Sequence, residues 1–463
     1  MLEGLEISEI GFSIVSEGIL RLESEFYTIE TFESNNYYLG ENIIDNAEYN
    51  SIYGMNSEGR GYLALRMNEF DTIFTGQPEQ FAHNFTEIDF EKHRLRKNDI
   101  LICRTNGNPN LVGKSALVAK DYPFVYESHL FKIRPIQDKI SSAALIVFLN
   151  CKYGKAELKK FSMQGNQSNF SLAKFREIRV PKLEGFFNKK IENIVYTAFN
   201  KLNDSQDKYF KSEELLLIEL GLSGFSSNQQ SINIKSIKNS FLKTGRLDAE
   251  YYQPKYDEII EQVKSAPHDK LKNLAYVQKS IEPGSEAYQE TGTPFYRVSN
   301  LTKFGLIQPD IHLDEYKYSD TIRPKKDTIL LSKDGTVGMA YKVAKDIDGI
   351  TSGAVLHLNI KDEAKVLPDY LTLVLNSIVV QLQAERDAGG SIIQHWKPSE
   401  IEEVVIPLLD INVQQKIAEL IQQSFHLKAE SEQLLEDAKK LVEYAIENGE
   451  GKALVNYKLG LIE

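Results

Sequence analysis

Gly113-Lys114-Ser115 is the first run in this chain whose residue types promise chemistry, since glycine, lysine and a hydroxyl together can cradle a phosphate. A phosphate loop of that kind needs glycine at position 108, where Asn108 stands, and Gly107 is one position too far away. A matching run later in the chain, Gly338-Met339-Ala340, has no lysine at all. Nucleotide binding is therefore not expected there. The eight histidines are scattered, with no HExxH pair and no Cys/His spacing suited to zinc. There is no GxSxG nucleophile turn, and no Asn-Pro-Pro-Tyr or Asp-Pro-Pro-Tyr run such as amino-methyltransferases use to hold a flipped base. Neighbouring carboxylates abound, but a chain with 66 acidic residues yields such pairs on solvated helix faces as a matter of course. No catalytic residue and no metal site is expected.

The chain that surrounds these residues is 463 long, enough for two or three domains with cores of their own. Two cysteines, Cys103 and Cys151, cannot form a disulfide framework, and a reducing compartment fits them. The opening MLEGLEISEIGF is acidic, unlike a signal peptide, and no apolar run is long enough to span a membrane, so a cytoplasmic protein without a membrane partner is expected. The net charge of −12 is unevenly spread. Residues 1–50 carry eleven acids against Arg21 alone, whereas residues 91–135 sum to +5 and residues 152–182 to +6. A polyanion partner needs a local basic surface, not a basic total.

The sequence repeats itself. Arg21-Leu22-Glu23-Ser24-Glu25-Phe26-Tyr27 recurs as Arg246-Leu247-Asp248-Ala249-Glu250-Tyr251-Tyr252. Arg66-Met67-Asn68 resembles Arg297-Val298-Ser299-Asn300, and Asp99 to Gly107 aligns with Asp327 to Gly335. Gly113–Val118 matches Gly338–Val343, and Arg179–Leu183 parallels Val405–Leu409. Every offset lies between 225 and 231. In each copy short β-branched and aromatic runs come first: Asp99–Cys103, Ser115–Val118 and His129–Pro135, then Thr328–Ser332 and Val355–Ile360. A helical run follows, about 142–161 and 368–386, and then a polar loop, 163–169 or 388–394. This texture predicts a compact α+β domain, present twice.

Beyond Pro181 and Pro407 the apolar period becomes helical. Ile191, Val195, Ala198, Leu202, Ser205, Tyr209, Ser212 and Leu216 alternate spacings of four and three. Ile417, Leu420, Ser424, Leu427, Ser431, Leu434, Ala438 and Leu441 alternate three and four. Both are coiled-coil seams, with small residues that let two backbones approach closely. A polar linker, 223–231, joins the copies. The predicted order is a first recognition-type domain at 1–184, a helix at 185–222, linker and second domain at 223–411, and a second helix with a short tail at 412–463.

This arrangement resembles the specificity subunit of type I restriction–modification systems. The resemblance rests on the paired openings, the paired 99–107 and 327–335 segments, the polar loop before each exit strand, and the two seams. It implies two tandem α+β target-recognition domains, with the two helices pairing as an antiparallel coiled coil and holding the domains at opposite ends. It also implies a subunit without catalysis that reads a bipartite, asymmetric site in double-stranded DNA. Its partners would be two methyltransferase subunits, which carry the S-adenosylmethionine, and, in the full complex, nuclease/translocase subunits.

Arginine or lysine suits guanine, and asparagine or glutamine suits adenine, while small polar loop residues suit phosphates. On that basis the DNA-binding candidates of the first domain are Arg66, Arg104, Asn106, Lys114, Gln164, Gln167 and Asn169. Those of the second are Arg297, Lys333, Asp334, Gln394, His395 and Lys397. Trp396, the single tryptophan, reads as a core anchor, with Phe170 near the equivalent place. Two other classes fit the residues less well: a coiled-coil scaffold with no DNA role, separable by gel shift, and an autonomous DNA-modifying enzyme, separable by methyl transfer from the isolated chain.

Overall fold

Ile100–Cys103 is a strand of four consecutive buried residues, which requires cover on both of its faces. A computed structural model describes residues 24–50, 54–162, 168–225, 232–389 and 394–460, and there this strand lies inside a six-stranded sheet. The order across the sheet is 44–49, 130–135, 100–103, 115–117, 74–75 and 70–71. In the second copy Ala275–Lys279, Val355–Ile360, Ile329–Ser332 and Ala340–Lys342 repeat its first four strands in the same order. A second small sheet repeats as well. Tyr62–Leu65 runs parallel to Val125–Tyr126, as Thr293–Tyr296 does to Ile350–Thr351. An exit strand closes each copy on an entry strand, Arg179–Pro181 on Tyr37–Leu39 and Val405–Pro407 on His268–Lys270.

Hydrogen-bond register corrects the sequence alignment by one residue. Leu117 faces Ile100 while Lys342 faces Ile329, so the strand following Asp99 corresponds at an offset of 229 rather than 228. Asn98, not Asp99, is the counterpart of Asp327. Both have left-handed backbones, φ 75° and 66°, and both donate their N–H to the next strand, at Val118 O and Val343 O. Asn and Asp tolerate that conformation because their short polar side chains bond locally. Each expected helical run is likewise two helices. Ser142–Asn150 and Lys152–Phe161 are separated by extended Cys151, and Pro368–Asn376 and Ile378–Asp387 by extended Ser377.

The chain divides into two compact units, Met1–Asn203 with Lys428–Glu463, and Asp204–Leu427. Both long helices, Gly185–Glu219 and Ile411–Asn448, contribute to each. In the first unit Ser431 Oγ donates to Ala198 O at 2.7 Å, and Lys201 pairs with Glu430 at 2.8 Å. In the second unit Ser424 Oγ donates to Ser205 O at 2.8 Å and lies 3.1 Å from Ser205 Oγ. In both, the pairing is antiparallel. The repeat offset of 226 exchanges one serine contact for the other, so the duplicated sequence builds the same kind of contact in each unit. The C-terminal helix Glu450–Lys458 buries Ala453 in the first unit's core, and Glu450 accepts the Glu184 N–H at 2.9 Å.

All eight seam residues of the first helix are buried. On the second helix Ile417, Ser424, Ser431, Ala438 and Leu441 are buried, whereas Leu420, Leu427 and Leu434 are half-buried. The deep row there runs through Ile421, Leu435 and Val442, and Lys428 stands where the first helix has Leu202. That lysine stays tolerable at a half-buried position because Asp71 and Glu432 lie 3.5 and 3.3 Å from its Nζ.

The cores differ in how they satisfy one duplicated polar position. In the first unit Lys132 is buried and pairs with Glu48 at 2.8 Å. In the second, His357 is buried with Nε2 2.7 Å from Thr351 Oγ1, and burial lowers its pKa from 6.5 to about 4. The unfolded chain takes up this proton near pH 6.5 and the folded one only near 4, so stability falls as pH drops through that window. The second unit is expected to lose about 2–3 kcal/mol between pH 6.5 and pH 4 through this residue. Trp396 is the sole tryptophan and is 1% exposed in that unit, so its fluorescence during urea unfolding reads the effect. His357→Gln should flatten the dependence; an unchanged pH profile would contradict the assignment.

Candidate nucleic-acid interface

At one end of each unit's main sheet the strand that emerges from the core meets the polar loop. Thr105–Asn106 pairs with Ser168–Asn169, and Asp334 forms the corresponding bridge with His395. The main chain is fixed the same way in both. Arg104 N–H donates to His129 O and Arg104 O accepts from Phe170; Lys333 N–H donates to Ala354 O and Lys333 O accepts from Trp396. Phe170 and Trp396 are both fully buried, so each anchors its polar segment from below, and Trp396 is a core residue.

Eight candidates therefore gather at these two ends: Arg104, Asn106 and Asn169 in one unit, and Lys333, Asp334, Gln394, His395 and Lys397 in the other, with Arg104 matching Lys333 and Asn169 matching His395. Their side chains differ. The Arg104 guanidinium lies 5.2 Å from the centre of the Tyr49 ring. Asn106 Oδ1 accepts from Asn108 N at 2.8 Å, and Asn169 Oδ1 is buried without a partner among the described residues. In the second unit Lys333 Nζ and His395 Nδ1 both reach the Asp334 carboxylate, the latter at 2.9 Å. Gln394 O accepts the Gly335 N–H, and Lys397, well exposed, starts the turn Pro398–Ile401. Gln164 and Gln167 lie outside the described residues.

Arg66, Arg297 and Lys114 sit elsewhere. Arg66 and Arg297 open matching 3-10 turns at Met67–Glu69 and Val298–Asn300. Glu69 holds the Arg66 guanidinium at 2.7 Å, whereas Arg297 has Asn300 on its backbone N–H and only the exposed Asp310 at 3.7 Å. Lys114 leans towards Phe70, and its partial burial lowers its pKa.

The basic stretches are also less free than their sums imply. Arg94 and Arg96 pair with Glu91, Lys132 with Glu48, Arg134 with Asp99, and Arg179 with buried Glu157. Arg104 is an exception: no carboxylate pairs with it among the described residues. Sequence reasoning missed Tyr49, Glu69 and His129, the last with Nδ1 2.7 Å from Thr105 Oγ1. Tyr49 and His129 are brought in by strand pairing, with no local pattern to mark them, whereas Glu69, three residues from Arg66, comes from the 3-10 turn. Among the described residues no group of three or more His, Cys, Asp or Glu is placed to hold a metal. No helix among them is long and apolar enough to cross a membrane.

The duplicated α+β scaffold thus presents two polar loop ends of matched backbone whose side chains differ between the copies. Residues 269–437 match the family described as type I restriction modification DNA specificity domain. None of the curated proteins matches. Among solved structures, the chain is similar to the type I restriction–modification S subunit from M. genitalium, at 12% identity and TM-score 0.38, covering 93% of this chain and 98% of that one. It is also similar to the HsdS subunit from Thermoanaerobacter tengcongensis, at 11% identity and TM-score 0.30, covering 89% and 96%. The family match falls on the second copy: residues 269–437 are similar to a type I restriction–modification DNA specificity domain, a domain of DNA sequence recognition.

Proposed function

We propose that this subunit reads a bipartite, asymmetric target in double-stranded DNA, one half-site per recognition domain, and brings two methyltransferase subunits to it. The domains are taken as 1–184 and 223–411, with the helices at 185–222 and 412–463. The observation that supports this reading most is the pair of polar ends, built on one backbone register with different side chains: Arg104-Thr105-Asn106 against Lys333-Asp334-Gly335. One scaffold with two chemistries is what an asymmetric site requires, because base edges are read by side-chain donors and acceptors. The candidates for contact remain those thirteen residues, with base readers at the ends and phosphate contacts around them. S-adenosylmethionine would be carried by the methyltransferase partners, and nuclease/translocase subunits would join them in the full complex.

Methylome sequencing of a host carrying the subunit with its methyltransferase tests the reading. Two unlike half-sites separated by a fixed gap are expected; a single continuous motif, or none, would overturn it. The purified chain alone is expected to transfer no methyl group from labelled S-adenosylmethionine to DNA.

A further inference from the structure

Arg104 is a donor pair held ready for a ligand. Its main chain is bonded on both sides, by His129 O to its N–H and by Phe170 N–H to its carbonyl. Its guanidinium rests over Tyr49, and that ring is itself fixed: Tyr49 OH accepts from Leu172 N at 2.6 Å, and the ring packs edge-on against buried Phe131 at 6.0 Å. A cation resting over a held ring loses less rotamer freedom when it binds. The side chain is half-buried, and no carboxylate among the described residues consumes its charge.

The second copy shows that this arrangement is not dictated by the scaffold. At the strand position of Tyr49 it has Lys279, facing Leu356 as Tyr49 faces Phe131. At the position of Arg104 it has Lys333, whose ammonium is spent on the adjacent Asp334. One copy thus keeps a free, oriented guanidinium where the other keeps an internal ion pair.

We propose that Arg104 takes a paired acceptor of the DNA in the first domain's half-site, either the N7/O6 edge of guanine or two phosphate oxygens. This rests on the DNA-reading function proposed above. A lysine is expected to replace it poorly, because an ammonium lacks the planar fork with two parallel donors.

The test uses the full chain with its methyltransferase partner, bound to its own target and to unrelated duplexes across a salt series. Wild type, Arg104→Lys and Arg104→Ala are compared, with 7-deazaguanine placed at each guanine of the first half-site in turn. If guanine is the ligand, one 7-deaza position weakens wild type by roughly 5- to 150-fold and leaves Arg104→Ala unaffected, and Arg104→Lys fails to restore discrimination. If phosphate is the ligand, Arg104→Ala weakens all duplexes alike, lowers the salt slope by about one, and no 7-deaza position matters. Unchanged affinity, slope and base preference in Arg104→Ala would overturn the proposal. A wild-type complex that prefers no sequence would instead defeat the functional reading on which it rests.

Discussion

Ile421→Asp and Leu435→Asp are each expected to cost about 3–5 kcal/mol, because each puts a carboxylate without a partner into a packed row. Ile421 is 5% exposed in the second unit's core and Leu435 is 3% exposed in the first's. Leu420→Asp and Leu434→Asp, one residue away on half-buried positions, should cost far less, since their carboxylates can turn towards water. Urea unfolding separates the pairs, with Trp396 fluorescence reporting on the second unit and circular dichroism on both. If Leu420→Asp proves as damaging as Ile421→Asp, the deep row has been placed on the wrong face. The consequence for assembly follows from the proposed function: variants that break the row should no longer co-purify with methyltransferase subunits, and variants beside it should.

That one-residue distinction marks where the sequence stops being legible. Leu420–Ile421, Leu434–Leu435 and Leu441–Val442 are adjacent apolar pairs, so two heptad frames fit the second helix equally well. Only the partner helix selects between them, and the first helix had already displayed the frame it uses. The duplication itself, the strands 100–103, 115–117, 130–135, 329–332 and 355–360, and the two long helices could all be read from local pattern. The breaks at Cys151 and Ser377, both with extended backbones, could not, since neither residue is a helix breaker by type. At the candidate interface the loop residues stand out by composition. What decides their chemistry does not: Glu69 for Arg66, Tyr49 for Arg104 and His395 for Asp334 arrive through strand pairing or turn geometry. The net charge of 91–135 misled for the same reason, because Glu48, from the acidic N-terminal stretch, folds onto Lys132.

Lys333→Ala with Asp334→Ala should relax the bases tolerated in one half-site and leave the other unchanged. Among the described residues, the bonds named for this end close within residues 332–396. Lys333 and His395 meet at the Asp334 carboxylate, Gly335 N–H reaches Gln394 O, and Trp396 N–H reaches Lys333 O. The other end is equally self-contained, with Arg104 tied to His129 and Phe170, and Asn108 N–H tied to Asn106 Oδ1. Neither end needs the other's side chains to hold its shape, so the reciprocal pair, Arg104→Ala with Asn106→Ala, should affect only the opposite half-site. Each lost base contact is expected to cost about 1–3 kcal/mol of discrimination, enough to appear as tolerated alternatives in a methylation profile. Removing Asp334 alone offers a sharper reading. It frees Lys333 and releases His395 together, so Asp334→Asn should change which base is preferred rather than merely weaken the preference. A double variant at one end that degraded both half-sites equally would show a single composite reading surface, and the two-module account would have to be abandoned.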